Sequence, residues 1–332
     1  MVKNDYYLDS GYLNIEKIEK KYNPYTTIII GGRGIGKTYG FLKYLLDNEM
    51  LFILVRRTLT EREYIRNVKF NPLNVFFPDQ LKIETGKYTD SYFVDDKLLC
   101  LCVNLTTSSK IRGIDGSMIQ AIFYDEFIPE MSEKKMINEA TAIFQLYETV
   151  NRNREIAGKE PVKLYFTANS NNIFNDIMDS LHLADVIFDM REKQQDFKYI
   201  KKKKLFLADV KKSPISEKKK NTYLYTLTKD TEFYNMAINN NFSNDYKDFL
   251  GLPYQLKEYK PFVDIGEIHI LKHCNIPLLY VTFKNRGTAK KRYYNIVDFF
   301  KEYNIYLSQH FIRRSIFFEC SALAQQFKDF FI

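Results

Sequence analysis

Residues 27–38 read Thr-Ile-Ile-Ile-Gly-Gly-Arg-Gly-Ile-Gly-Lys-Thr: a β-branched run that breaks into glycines and leads on into a helical pattern. The spacing of Phe41, Leu42, Leu45 and Leu46 predicts a helix over 38–48. Gly31, Gly32, Arg33, Gly34, Ile35, Gly36, Lys37 and Thr38 match G-x-x-x-x-G-K-[ST] in full, in the strand-then-helix context that this phosphate-binding loop requires. The chemistry explains the residue types. Glycines let backbone N–H groups curl round a phosphate with no Cβ in the way, and the helix N-terminus adds the positive end of its dipole. Lys37 is expected to reach the β- and γ-phosphates of ATP, and the Thr38 hydroxyl to hold Mg²⁺.

Outward from this loop, the continuous apolar run at 51–55 reads as a strand buried on both faces, 119–124 as a third buried strand, and 162–167 and 186–188 as two more. Runs at 91–94 and 98–103, separated by Asp95-Asp96-Lys97, read as a hairpin. Apolar positions 143, 146, 147 and 150 predict a helix over 136–155. Strands separated by helices give an α/β fold class with a mainly parallel sheet and right-handed crossovers.

The run 119–124 leads directly into Asp125-Glu126. An aspartate at that strand end would complete the Mg²⁺ shell, and the next glutamate would orient and deprotonate the attacking water. Asn169, just past strand 162–167, is a candidate γ-phosphate sensor; the plain alternative is a turn asparagine. Arg152 and Arg154 close the predicted helix. They either suit its negative dipole end or, for Arg152, reach a neighbouring subunit's site as an arginine finger in trans. Arg56 and Arg57, after strand 51–55, are further phosphate-side candidates, and Lys110 and Arg112 are either surface charge or a second contact in trans.

Length, composition and charge set the frame. The chain has 332 residues, 45% of them apolar and 27% charged, an ordinary globular balance that excludes a disordered or fibrous protein. No apolar run approaches the roughly 20 residues a membrane helix needs. Residues 1–20 carry no apolar leader, and four cysteines point to a reducing setting without a disulfide framework. Residues 198–220 hold ten lysines and two acids, a surplus equal to the whole chain's net charge of +8. A neutral body with one basic segment suits phosphate-backbone binding, the alternative being a solvated linker. Lys201, Lys202, Lys203, Lys204, Lys211, Lys212, Lys218, Lys219 and Lys220 are therefore candidate nucleic-acid contacts, with a basic turn at 284–292 as a second surface. The segment also suggests domains at 1–205 and 251–332 with a basic linker or lid over 206–250. In the last of these, strands are expected near 267–271 and 278–283 and helices at 296–303 and 312–331. The acids Glu258, Asp264, Glu267, Asp298 and Glu319 form no recognisable cluster there.

In chain order, Gly-x-Arg-Gly-Ile-Gly-Lys-Thr, Val55-Arg56-Arg57, Phe123-x-Asp125-Glu126-Phe127 and Arg152-Asn153-Arg154-Glu155 resemble the DNA-packaging ATPases of phi29-like phages, most densely over 28–170. The resemblance implies a P-loop ATPase domain of the ASCE type and a C-terminal domain similar to an RNase H-like nuclease that has lost its acids. It also implies a homopentameric ring at the portal of the procapsid in the host cytoplasm, threading double-stranded DNA into the shell. It places the finger in trans on Arg152 and leaves a structural RNA open as a further partner. The rival readings are a helicase, a terminase with a working nuclease, and an ATP-switched nucleic-acid adaptor.

Overall fold

The quoted run becomes the strand at the heart of a nine-stranded sheet. The computed structural model describes residues 6–111, 113–129, 136, 138–169, 175–210, 213–229, 231, 234, 249–313 and 315–328. Its strands are β1 (Thr26–Gly31), β2 (Phe52–Arg56), β3 (Lys82–Thr85), β4 (Thr89–Val94), β5 (Lys97–Asn104), β6 (Ala121–Asp125), β7 (Lys163–Ala168), β8 (Phe197–Ile200) and β9 (Leu205–Val210), in the order β3-β4-β5-β2-β6-β7-β1-β9-β8. From β5 to β9 every neighbouring pair is parallel; the edge pairs β3–β4, β4–β5 and β8–β9 are antiparallel. Strand β7 lies between β1 and β6, so the glycine loop and the Asp125 strand end open at the same edge of the sheet, two strand positions apart.

Local chemistry accounts for the elements. Ile28, Ile29 and Ile30 are fully buried, as a strand covered on both faces demands. Helices α1 (Ile15–Tyr22) and α2 (Lys37–Asp47) bury Ile15, Ile18, Phe41, Leu42 and Leu45 in a cluster with Ile29, Phe123 and Tyr165. Asn14 caps α1 by accepting from Lys17 N, and Asn23 ends it in the left-handed region. Buried Glu19 of α1 is held by Thr27, Lys163 and Tyr165. Helices α3 (Leu59–Tyr64) and α4 (Glu139–Asn151) follow β2 and β6. The hairpin forms as expected, with Asp95 and Asp96 both at positive φ, the geometry of a two-residue turn that matches strand twist.

Fully buried Arg62 faces Asp90, which also accepts from Arg66 Nε at 2.9 Å and from Gly86 N at 3.0 Å. Asp90→Ala would strand the Arg62 guanidinium away from water, at a cost of about 3–5 kcal/mol. Calorimetry should show one unfolding transition lowered by roughly 10 °C. A shift below about 2 °C would show that the pair contributes little.

Several expectations are corrected. The lysine-rich segment is not a linker: Lys198 lies in β8, residues 201–203 form the hairpin tip, and Leu205–Val210 is a wholly buried strand beside β1. A boundary at 205 would cut this sheet. The apolar run outweighs the flanking charge, since an unpaired β1 edge would leave buried backbone groups without partners. Residues 186–188 lie in the helix Ala184–Glu192, because the buried Leu183, Ile187 and Met190 recur at helical spacing. The α4 helix ends at Asn151, so Arg152 and Arg154 follow it rather than belong to it.

The chain divides into two compact units, Met1–Ser180 with Asp189–Ser243, and Leu181–Phe188 with Asn244–Ile332. The second has its own five-stranded sheet: β10 (Tyr259–Ile265), β11 (Ile268–His273), β12 (Leu279–Thr282), β13 (Lys291–Tyr293) and β14 (Ile316–Phe318), in the order β13-β10-β11-β12-β14. An antiparallel meander β10–β11–β12 carries one parallel strand on each edge. The helix expected over 312–331 is instead β14 followed by the helix Ser321–Lys328, because Ile316 and Phe318 bury on the sheet beside β12. The helix expected at 296–303 extends to Ile312.

Candidate functional site

The ends of β1, β6 and β7 open onto one cavity of about 1080 Å³, lined also by α1 and α2 and large enough to take a nucleotide. Lys37, Thr38, Asp125, Glu126 and Asn169 all line it. Lys37 comes from the first turn of α2, Asp125 and Glu126 from the end of β6, and Asn169 from just past β7. Gly34 and Gly36 have φ of +73° and +92°, a backbone that side chains resist, and a Cβ on Gly36 would press on the Tyr12 ring at 3.1 Å.

Lys37 is buried, and its ammonium donates to Gly31 O at 2.9 Å, Gly32 O at 2.8 Å and Asn169 Oδ1 at 3.2 Å. Asn169 therefore stands beside the loop lysine, where a sensor would stand. Thr38 Oγ1 donates to Asp125 Oδ1 at 2.8 Å, and the Thr167 hydroxyl donates to the same oxygen. Arg56 Nη1 lies 3.3 Å from Asp125 Oδ2. A hydroxyl and a carboxylate converging as hard oxygen donors fit Mg²⁺. The sequence offers one signal for Thr167, a hydroxyl at the end of a strand run.

Glu126 sits at φ +56°, a left-handed conformation that costs a non-glycine residue about 1 kcal/mol. Two bonds hold it there. Arg57 Nη2 donates to Glu126 O at 2.8 Å, and Phe127 N donates to Thr167 O at 3.0 Å. Partial burial, with the charge of Asp125 second, raises the Glu126 carboxyl above the ordinary glutamate range.

The two arginines at the end of β2 part company, as successive residues at a strand end do. Arg56 turns to Asp125. Arg57 is buried against Glu139 Oε1 at 3.1 Å and the Glu126 carbonyl, so it braces the acidic turn.

Arg152 lies elsewhere. Its Nη2 donates to Ile114 O at 2.7 Å, and the preceding Asn151 Oδ1 accepts from Val162 N at 2.8 Å, just before β7 starts. That is the N-terminal edge of the parallel strands. Asp125 is at the other, roughly 15 Å away along β6. Arg154 is fastened to Gly116 O and Ser117 O. Lys110 is exposed on the 3₁₀ helix Leu105–Ile111; Arg112 lies outside the described residues.

The lysines divide as well. Lys201, Lys202, Lys203 and Lys204 sit at the hairpin tip, beside the start of β1 and so opposite the glycine loop. Lys204 lies over the Tyr25 ring and donates to its hydroxyl. Lys218 and Lys219 end the helix Pro214–Lys219 with Lys220 as its cap, on the loop side: Lys218 donates to Ser10 O, Lys219 to Arg33 O, and Lys220 pairs with Glu217. Lys211 and Lys212 lie outside the described residues. In the second unit, Lys284, Lys291 and Arg292 pair with Glu319, Glu302 and Asp264. Asp298 is engaged by Asn295 and Lys301. Among the described residues, no three His, Cys, Asp or Glu side chains are grouped to hold a metal, and no helix is long and apolar enough to cross a membrane.

Burial lowers the Lys37 ammonium to about 8, against the pull of Asp125 and Glu126; Lys219 and Arg33 add to the lowering. Below that pH the charge that receives phosphate is already in place. Above it Lys37 in the empty site is neutral, and binding must take up a proton. ADP affinity measured without divalent cation should therefore fall as pH rises through 8, approaching tenfold per unit, with proton uptake visible in calorimetry across buffers. Affinity flat from pH 7 to 9.5 would contradict it.

Strand order and glycine loop define a P-loop α/β domain of the ASCE arrangement, with one strand between the loop strand and the acidic strand. The chain belongs to the podovirus DNA encapsidation protein (Gp16) family, whose model matches residues 8–267. The DNA packaging protein of Bacillus phage phi29 is 32% identical over 139 residues, which are 40% of this chain and 41% of that protein, so the match spans about two fifths of its length. The DNA packaging protein of Bacillus phage B103 is 27% identical over 236 residues, 69% of this chain and 68% of the relative. Two solved structures share the fold: the bacteriophage Phi-29 viral genome packaging motor assembly (TM-score 0.66, 20% identity, 97% of this chain and 99% of that one) and the Phi-28 gp11 DNA packaging motor (0.62, 16%, 95% and 95%).

Proposed function

We propose that this chain is the ATP-hydrolysing subunit of a homo-oligomeric motor, a pentamer by family resemblance, that drives double-stranded DNA into a preformed viral capsid. The observation that carries the reading is the convergence of Lys37, Thr38, Asp125, Glu126 and Asn169 in one cavity, in a member of an encapsidation family. The glycine loop and Lys37 bind and orient the triphosphate. Thr38 and Asp125 would hold Mg²⁺, which when bound neutralises charge on the phosphate oxygens. Thr167 and Arg56 fix the Asp125 carboxylate for that task. Glu126 accepts the proton of the attacking water, and Asn169, already bonded to Lys37, senses the terminal phosphate. Arg152, a strand's length from its own subunit's site, supplies charge to a neighbour's. DNA and portal contacts are assigned to the hairpin-tip lysines and the basic turn of the second unit, which is read as a non-cleaving, RNase H-like domain in which Asp264, Asp298 and Glu319 are engaged by Arg292, Lys301 and Lys284.

The test is steady-state ATP hydrolysis with and without long double-stranded DNA, at protein concentrations that favour assembly. Several-fold stimulation that disappears in Lys37→Ala is the expected result. Appreciable hydrolysis indifferent to DNA would instead favour a nucleotide-switched adaptor.

A further inference from the structure

Besides Lys43, which pairs with Asp47 on α2, the nucleotide cavity holds a cation that belongs to neither the glycine loop nor the acidic strand. Lys219 is the last residue of the helix Pro214–Lys219, capped by the Ser213 side chain accepting from Ser216 N, with Pro214 in its first turn. The helix is docked locally. Gly11 packs so closely on it that a Cβ would stand 3.1 Å from Ile215 N, and Lys218 Nζ donates to Ser10 O at 3.1 Å. From there the Lys219 side chain reaches into the glycine loop. Its ammonium donates to Arg33 O and fills the space where a Cβ on Gly34 would be, so the loop's glycine makes room for it. It lines the same cavity as Lys37, Thr38, Asp125, Glu126 and Asn169. It is only half-exposed, and burial lowers its pKa.

A backbone carbonyl is a modest partner for a partly desolvated ammonium. A phosphate oxygen carries negative charge and adds the attraction of opposite charges to the hydrogen bond. The loop whose carbonyl Lys219 touches is the one that would cradle the phosphates. We propose that Lys219 is an in-cis ligand of the nucleotide's phosphate chain, which exchanges the Arg33 carbonyl for a phosphate oxygen when nucleotide binds. Lys219 then leaves the set of DNA contacts, and the basic segment becomes two surfaces: a hairpin tip facing away from the nucleotide, and a short helix that reads it. The inference rests on the P-loop reading proposed above.

Its test is calorimetric binding of ATP and ADP to the full chain carrying Lys219→Ala, Lys219→Arg, Glu217→Gln or Lys37→Ala, with thermal melts of each without nucleotide. Lys219→Ala should weaken both nucleotides roughly tenfold or more, Lys219→Arg should recover most of the loss, and Glu217→Gln on the same helix should bind as wild type. ATP should also shield Lys219 from an amine-acylating reagent, read by mass spectrometry. Lys219→Ala binding within twofold of wild type while Lys37→Ala fails would overturn the Lys219 assignment alone. An equal loss in Glu217→Gln would also overturn it, since the helix's docking rather than the ammonium would then be at work. Lys37→Ala binding normally would overturn the P-loop reading, and this inference with it.

Discussion

Glu126→Gln is expected to lower steady-state ATP hydrolysis by about 10²–10⁴-fold while ATP still binds. Glutamine keeps the length and one acceptor oxygen of the side chain but cannot take the proton of the attacking water. The groups that bind nucleotide, Lys37, Thr38 and Asp125, are left in place, and so is the brace on the turn, because Arg57 and Phe127 act through backbone atoms of Glu126 and Thr167. The φ of +56° is a backbone demand that both residues meet at similar cost. The raised pKa adds a pH signature. The carboxylate form is needed and is favoured only above the ordinary glutamate range, so wild-type hydrolysis should fall on the acid side at a higher pH than an unperturbed glutamate would give. Rate assays with binding by calorimetry separate the outcomes. A variant that hydrolyses within threefold of wild type would remove Glu126 from the chemistry. One that neither binds nor hydrolyses would mean the turn had collapsed, and Glu126→Asp would then probe the same position.

What the residues made legible follows from how local each signal is. The glycine loop, its flanking strand and the hairpin at Asp95-Asp96 are set by neighbours in sequence, through β-branched runs, positive φ and turn chemistry. The Asp125-Glu126 pair is local too. What escaped depends on partners far along the chain. Thr167 matters because β7 runs beside β6 and brings its hydroxyl to Asp125. Arg56 and Arg57 look alike as a pair and differ only because they leave the strand end on opposite faces. The basic segment is the least legible: its lysines flank the run Leu205–Val210, whose six buried positions bear the mark of a parallel strand that the sheet needs beside β1. Once that strand is in place, the charges before and after it fall at opposite ends of the sheet.

Arg152→Ala should cost 10³–10⁵-fold in assembled hydrolysis if its guanidinium completes a neighbour's site. The fold sets the direction of that contact. Asn151 is tied to the backbone at the start of β7, and Arg152 to Ile114 ahead of β6, so this arginine sits at the edge of the sheet opposite Asp125. No rotamer spans a strand's length, and Arg152 therefore cannot reach the phosphates of its own subunit. Its backbone at φ +47° turns the chain out of α4, and its side chain is exposed, donating to the Thr149 and Ile114 carbonyls with the Asp115 carboxylate also within its field. A carbonyl is readily given up for a phosphate. Complementation separates this role from a merely structural one. Glu126→Ala subunits lack the base but carry the finger; Arg152→Ala subunits lack the finger but carry the base. Each alone should be inactive, and mixtures should regain activity at interfaces where a Glu126→Ala neighbour offers Arg152 to an Arg152→Ala site, with a maximum near equal proportions. Mixtures as inactive as their parents would show that Arg152 serves its own subunit's fold. Full activity in dilute, monomeric protein would remove the need for a neighbour altogether.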